Sequence, residues 1–346
     1  MKAMLLTGIG RLEMATAPDP AIVNDTDVLI RLGVVGVCGS DVHYYTTGRI
    51  GSQVAKFPFT VGHECSGIVE KVGEGVRRVK PGDRIAVEPA MSCGRCDQCL
   101  AGRPHTCRTI RFLGTPPTSG CLSELLVMPE ECCFPIAAGT SLELAALVEP
   151  LSVAVYSVKQ SIPMLGAKVG ILGAGPIGLG VLQVALLAGA ARVYVTDKIG
   201  SRIAAALVSG ACWAGNPDKD DVAAEILKAQ PLGLDVVFEC CGQQEALDQG
   251  TRMLRPGGKL MVVGIPEANR VSFMPDVVRR QELCIQHVRR QVHCVGPALD
   301  LIESGRIDPR FMATHRFTFE QTGEAFEMVR QYAGGVIKAM VHLAGE

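Results

Sequence analysis

The sequence predicts an α/β chain of two domains, one β-rich and the other a doubly wound parallel sheet. Three observations carry that prediction. The length of 346 residues suits about two domains. Residues up to about 150 hold short β-type runs broken by Gly and Pro. From there to about 285, apolar strands alternate with helices, the pattern of a parallel sheet covered on both faces.

In the first region Val28–Leu32, Ser66–Val72 and Arg84–Val87 read as strands, with Lys80-Pro81-Gly82-Asp83 a turn between two of them. In the second, Lys168–Leu172 is an apolar strand, followed by a helix from about Ile177 to Leu187 and a strand at Arg192–Thr196. Helices are expected near Ser201–Ser209 and Asp221–Gln230, and strands at Leu234–Phe238 and Lys259–Val263. Residues 286–346 return to mixed texture and complete the first domain. No internal repeat and no low-complexity segment is present.

Composition narrows the function. Hydrophobic residues make up 48% and charged residues 20%, a balance that forms a packed core and excludes a disordered chain. A net charge of -1, with only short basic pairs at Arg279-Arg280 and Arg289-Arg290, argues against nucleic acid as a partner. Val169–Ala191 carries no charged residue, but its glycines fit strand, turn and buried helix better than a membrane span. The opening apolar segment Met1–Leu6 is too short for an export signal, so a cytoplasmic setting is expected. There thiols stay reduced, and 14 clustered cysteines point to metal or catalysis rather than disulfides.

Gly173-Ala174-Gly175-Pro176-Ile177-Gly178 follows a predicted strand and opens a predicted helix. The first glycine permits a tight turn, the second a close approach of backbone to a pyrophosphate, and the third close helix–strand packing. The helix N-terminus offers free N–H groups to phosphate. Asp197 lies 19 residues past Gly178, at the end of the second strand, where a carboxylate accepts ribose hydroxyls. That carboxylate repels a 2′-phosphate, so NAD is expected over NADP, with Arg202 a further cofactor contact. Lys198 and Arg202 lie nearby and weaken the preference.

Two metal sites are legible. Cys93, Cys96, Cys99 and Cys107, spaced C-x2-C-x2-C-x7-C, suit a closed tetrahedral zinc, though iron–sulfur ligation also uses four cysteines. The second is dispersed: Cys38-Gly39-Ser40-Asp41-Val42-His43 supplies a thiolate, and Gly62-His63-Glu64 an imidazole and a carboxylate. A catalytic zinc takes three protein ligands and keeps one position open. Cys132-Cys133 and Cys240-Cys241 are expected to be packing residues.

With these motifs in hand, the chain resembles the medium-chain zinc dehydrogenases over essentially its whole length. Within them it is most similar to the sorbitol/xylitol (polyol) dehydrogenases, through Thr115-Pro116-Pro117, Glu149-Pro150-Leu151-Ser152-Val153 and Thr314-His315-Arg316-Phe317. The resemblance implies a GroES-like β-rich catalytic domain over 1–150 and 286–346 and an NAD-binding Rossmann domain over 151–285. It implies a catalytic zinc on Cys38, His63 and Glu64, with Glu149 holding zinc-bound water or exchanging in as a ligand. Which glutamate binds stays open: His63 and Glu64 are neighbours, and a regular strand points neighbours to opposite faces. It also implies substrate contacts at Tyr44, Phe112, Thr115 and Arg289, and a homotetramer.

The expected reaction is oxidation of a secondary alcohol to a ketone with hydride passing to NAD, Ser40 and His43 relaying the proton through the cofactor ribose to solvent. One departure stands out. Polyol dehydrogenases tend to carry Gly-x-x-Arg-Tyr where this chain has Gln286-His287-Val288-Arg289-Arg290. Arg290 is therefore a candidate substrate contact that leaves room for an acidic or phosphorylated polyol. An L-threonine-type dehydrogenase is the nearest alternative; Ser40 and Glu149-Pro150-Leu151-Ser152 favour polyols. A non-catalytic zinc-loop interaction protein is the alternative of another class, and the intact Cys38, His63 and Glu64 speak against it.

Overall fold

The computed structural model describes residues 1–343, which form two compact units. The first comprises Met1–Glu149 and the C-terminal stretch from Val295; the second is Pro150–Cys294. The second boundary falls beyond 285 because Cys284–His287 is the last strand of the parallel sheet. Among the described residues no helix is long and apolar enough to cross a membrane.

The first unit is built around a seven-stranded sheet. Its path runs Cys133–Pro135, Arg84–Val87, Glu64–Val72, Asp27–Gly36, Lys338–His342 and Ala313–Thr318, with Leu125–Pro129 also paired to Asp27–Gly36. Asp27–Gly36 is central, and all but one of its residues are buried. Its Val- and Leu-rich run suits a strand packed on both faces. The core gathers Leu6, Val28, Ile30, Leu32, Tyr44, Ile85, Leu122 and Phe326. Burying each large side chain of this kind contributes about 1.5–3 kcal/mol.

Sequence texture gave this region only strands, yet Gly39–Thr47 is a helix. Cys38 is its N-cap, with Asp41 reaching back to the Cys38 N–H at 3.1 Å. Gly48, at φ +70, ends it in the left-handed conformation that glycine adopts without strain. The helix is a short polar one, and apolar periodicity does not reveal it.

The second unit is the doubly wound sheet. All five strand pairings are parallel, in the order Trp213–Gly215, Arg192–Thr196, Lys168–Leu172, Leu234–Glu239, Leu254–Val262 and Cys284–His287. Numbered along the chain this is 3-2-1-4-5-6, the Rossmann order, with its direction reversing between Lys168–Leu172 and Leu234–Glu239. In such sheets ligands bind outside the carboxyl ends of the strands at that reversal. The helix Pro176–Leu187 begins there, straight after the Gly173–Gly175 turn. Helices also occupy Gly200–Val208, Val222–Ala229 and Gln244–Met253, and Asp221 caps the second of these by accepting from the Ala224 N–H at 3.1 Å.

Candidate metal and dinucleotide sites

Two stretches of the first unit bring three ligand-type atoms together. Cys38 stands at a helix N-terminus, His63 immediately precedes the strand Glu64–Val72, and Glu64 opens that strand. The thiolate, imidazole and carboxylate positions all lie within 4.8 Å of one another. Two neighbouring side chains converge because the backbone turns before the strand begins: Gly62 sits at φ +97, and a Cβ there would crowd Leu122 and Cys121.

Asp41, buried at 1% exposure, braces this arrangement. One carboxylate oxygen accepts from the Gly62 N–H at 2.9 Å and lies 3.3 Å from His63 Nδ1; the other accepts from Cys38 N–H. An ionised carboxylate only accepts, so Nδ1 carries the proton and Nε2 is the nitrogen left for a metal. Burial opposes charge on the His63 ring, but Asp41 and Cys38 outweigh it and hold its titration well above the ordinary range. Soft sulfur, imidazole nitrogen and carboxylate oxygen are a donor set that zinc accepts.

Around these atoms, Ser40 Oγ donates to Cys38 Sγ at 3.3 Å. Ser40 and His43 lie one turn apart on the same helix. The ring of Phe112 packs 5.4 Å from that of His63, Tyr44 is buried against Phe59, and Thr115 is half-buried in the turn that follows Phe112. Glu149 interacts electrostatically with His63, Glu64 and Lys338, and burial pushes its carboxyl up to about 7.

Lys338 had no place in the sequence reading. It starts the strand Lys338–His342, is 2% exposed, and donates to both Glu64 oxygens at 2.7 Å and to the Val37 carbonyl at 3.1 Å. Breaking a buried pair of this kind by removing one partner typically costs about 3–5 kcal/mol. The available signal was a single charge inside the apolar run Val336-Ile337-Lys338-Ala339-Met340-Val341. Asp41 also went unassigned; its signal was its place three residues after Cys38, the N3 position of a capping box.

The four-cysteine loop gathers its sulfurs around one point. Cys93–Cys99, Cys96–Cys99 and Cys96–Cys107 are separated by 4.0, 3.6 and 3.8 Å. A tetrahedron with zinc–sulfur bonds near 2.3 Å has edges of about 3.8 Å. Separations this short suit a single ion; a polynuclear cluster, whose thiolates bind different iron atoms, needs them further apart. Peptide N–H groups support the anionic form: Cys93 N–H donates to Cys107 Sγ at 3.3 Å, and the Arg95 and Cys96 amides pull the Cys93 thiol down to about 6.

In the second unit, Gly173 is at φ +98, and a Cβ on Gly178 would fall on the Gly173 carbonyl oxygen, so helix and turn pack as closely as the motif requires. Pro176 and Ile177 form the first turn of the helix. Asp197 ties this turn to its neighbours, accepting from Ala174 N–H at 2.7 Å and Ile199 N–H at 2.8 Å. Arg202 is buried, and its guanidinium lies 3.7 Å from where a Cβ on Gly175 would stand. Arg289 is exposed, while Arg290 is half-buried at φ +54. Cys132 and Cys133 are buried as expected of packing residues, but Cys241 is exposed.

A parallel sheet in Rossmann order in one unit and two metal-type donor clusters in the other, β-rich unit define a zinc-binding oxidoreductase. The chain belongs to the zinc-binding alcohol dehydrogenase family: residues 24–138 match the alcohol dehydrogenase GroES-like domain and residues 176–304 the zinc-binding dehydrogenase domain. It is 36% identical to a sorbitol dehydrogenase of Bacillus subtilis (strain 168), covering 99% of this chain and 97% of that one. It is also 36% identical to an L-idonate 5-dehydrogenase of Vitis vinifera, with 99% and 94% covered. Among solved structures, an oxidoreductase/dehydrogenase of unknown specificity from Escherichia coli superposes with a TM-score of 0.93 at 31% identity, over 99% of both chains.

Proposed function

We propose that this protein oxidises a secondary hydroxyl of a sugar alcohol such as sorbitol, xylitol or galactitol to the ketose, with NAD as hydride acceptor. The convergence of Cys38, His63 and Glu64 carries the reading, and the sorbitol dehydrogenase relative supports the substrate class. In this reading Cys38, His63 and Glu64 hold a catalytic zinc and Cys93, Cys96, Cys99 and Cys107 a structural one. When bound, the catalytic zinc supplies Lewis acidity to an alcohol oxygen and the dinucleotide supplies the hydride acceptor.

The chain's own residues do the rest. Asp41 fixes the tautomer and direction of the His63 ring. Ser40 Oγ, within reach of Cys38 Sγ, accepts the hydroxyl proton as it gives up its own, and His43 takes the released proton outward to solvent, since imidazole titrates in the useful range. Glu149, its carboxyl pushed up to about 7, holds or releases a proton near neutral pH or serves as an exchanging ligand. Tyr44, Phe112, Thr115, Arg289 and Arg290 are the substrate contacts in this reading. Gly173, Gly175, Pro176, Ile177 and Gly178 cradle the pyrophosphate, Asp197 takes the adenosine ribose, and Arg202 adds a cofactor contact.

A second reading, an acidic polyol as substrate, is supported by the L-idonate 5-dehydrogenase relative and by the paired Arg289 and Arg290. A cytoplasmic, homotetrameric enzyme completes the proposal, and sedimentation tests the assembly. The deciding experiment is NADH formation by the zinc-loaded protein across sorbitol, xylitol, galactitol, their phosphates, L-idonate and L-threonine. Fastest turnover with a neutral polyol is expected. Threonine as best substrate overturns the proposal, and so does normal activity in Cys38→Ser.

A further inference from the structure

We propose that Lys338 is a positioning residue that competes with the catalytic metal for Glu64, so that this carboxylate serves as an exchangeable ligand. The inference rests on the reading of Cys38, His63 and Glu64 as a metal site. Both Glu64 oxygens lie 2.7 Å from Lys338 Nζ, and the third N–H of that ammonium is taken by the Val37 carbonyl at 3.1 Å. The ammonium therefore has every donor in use and no reason to swing away. The same carboxylate is one of the three donors gathered within 4.8 Å. One carboxylate thus stands between two cations, one built into the protein and the other bound.

The surroundings hold Glu64 in that intermediate place. Gly36 is directly opposite Glu64 in the strand pairing, and a Cβ there would collide with Glu64 Oε2. The carboxylate occupies the space that the missing side chain leaves. The backbone around Lys338 is fixed by pairing too: the following residue, Ala339, accepts from Val37 N–H at 2.9 Å, and Met340 is paired with Gly36. The ammonium consequently touches both chain segments that carry ligands, the one before Cys38 and the one at Glu64. A carboxylate that keeps a partner whether or not it ligates can move between them without ever being a buried, unpaired charge, the state that is expensive.

The test uses the full-length protein with cobalt(II) in place of zinc. The readouts are the visible ligand-field bands, which report the ligand set, and the rate of cobalt loss to a chelator. Lys338→Met leaves the metal as the only cation for Glu64. It is expected to shift the bands and to slow cobalt loss by about tenfold or more, the size of outer-shell effects on metal sites. Lys338→Arg keeps the charge and is expected to keep the unmodified bands. Gly36→Ala pushes the carboxylate out of its slot without touching the ammonium, and it is expected to shift the bands even if Lys338→Met does not fold. Faster cobalt loss with unshifted bands in Lys338→Met means that Lys338 only supports the fold, and the inference fails. Unshifted bands in Gly36→Ala count against it equally. If Cys38→Ser still binds as many cobalt ions per chain as the unmodified protein, with the same thiolate-to-cobalt charge-transfer intensity, the metal-site reading itself has failed, since the four-cysteine loop alone accounts for the band that remains.

Discussion

Replacing Asp41 by Asn changes one oxygen for an amide nitrogen and leaves the shape intact, which makes it a sharp probe of the metal site. Three donors converge on the native carboxylate: Gly62 N–H and His63 Nδ1–H on one oxygen, Cys38 N–H on the other. A carboxamide offers a single oxygen. If that oxygen keeps Gly62 and His63, the new NH2 faces the Cys38 N–H, donor against donor. A buried bond left unmade costs about 1–3 kcal/mol, and the bond to His63 drops from charged to neutral, about 1 kcal/mol more. The total of about 2–4 kcal/mol corresponds to roughly 4–16 °C in the unfolding midpoint of a domain of about 200 residues. Metal affinity is expected to fall about 10- to 100-fold, because the His63 ring loses the partner that orients it and raises its basicity. Competition against a chromophoric chelator measures the affinity, and thermal unfolding with and without zinc measures the stability. Zinc affinity within twofold of the unmodified protein, at an unchanged midpoint, refutes the bracing role assigned to Asp41.

Three further outcomes are expected. Cys99→Ser removes one corner of the four-sulfur loop; metal analysis is expected to show one zinc fewer per chain and a lower unfolding midpoint, whereas an unchanged zinc count would falsify the structural site. Asp197→Ala leaves the Ala174 and Ile199 N–H groups without their acceptor, at about 1–3 kcal/mol each. Fluorescence titration is expected to show weaker NADH binding and a smaller NADH-over-NADPH preference, and an unaltered ratio rules out the ribose role. In the zinc-stripped protein Glu149 contributes a pH dependence. Its folded carboxyl, raised from 4.5 to about 7 mainly by burial, binds a proton that the unfolded chain releases, so stability declines as pH rises from about 4.5 through about 7. Glu149→Gln is expected to flatten that decline in urea unfolding at several pH values; an equally steep decline in the variant excludes Glu149 as its source.

Much of the second unit was legible because its signals are local. Lys168–Leu172 and Arg192–Thr196 are apolar runs of strand length whose limits coincide with the observed strands. The helix after the glycine turn begins one residue earlier than expected, at Pro176, a residue preorganised for a first helical turn. The first unit was harder to read. Gly39–Thr47 has too little apolar periodicity to announce a helix, and its start is set by Asp41 pairing with the Cys38 N–H. Cys93–Cys107 could be read as one cluster because all four donors share one loop. The convergence of Cys38, His63 and Glu64 depends on the positive φ of Gly62. Lys338 enters through strand pairing nearly three hundred residues away in sequence, and no short pattern encodes such a meeting. Glu64 was recognised as a donor, but its second allegiance to an ammonium was invisible without the sheet.

The two donor clusters also differ in when they come into being. The four sulfurs of Cys93–Cys107 close a short loop, whose entropy cost is small, so a nascent chain can capture an ion there before any sheet exists. Cys38 and His63 meet only after Asp27–Gly36 has found Glu64–Val72, and Lys338 joins only when the C-terminal strand docks. If the two clusters hold the ions proposed for them, metal uptake at the dispersed cluster would be a late event in the life of each molecule, and a chain interrupted before Lys338 has been synthesised would carry its first ion without the means to hold the second correctly.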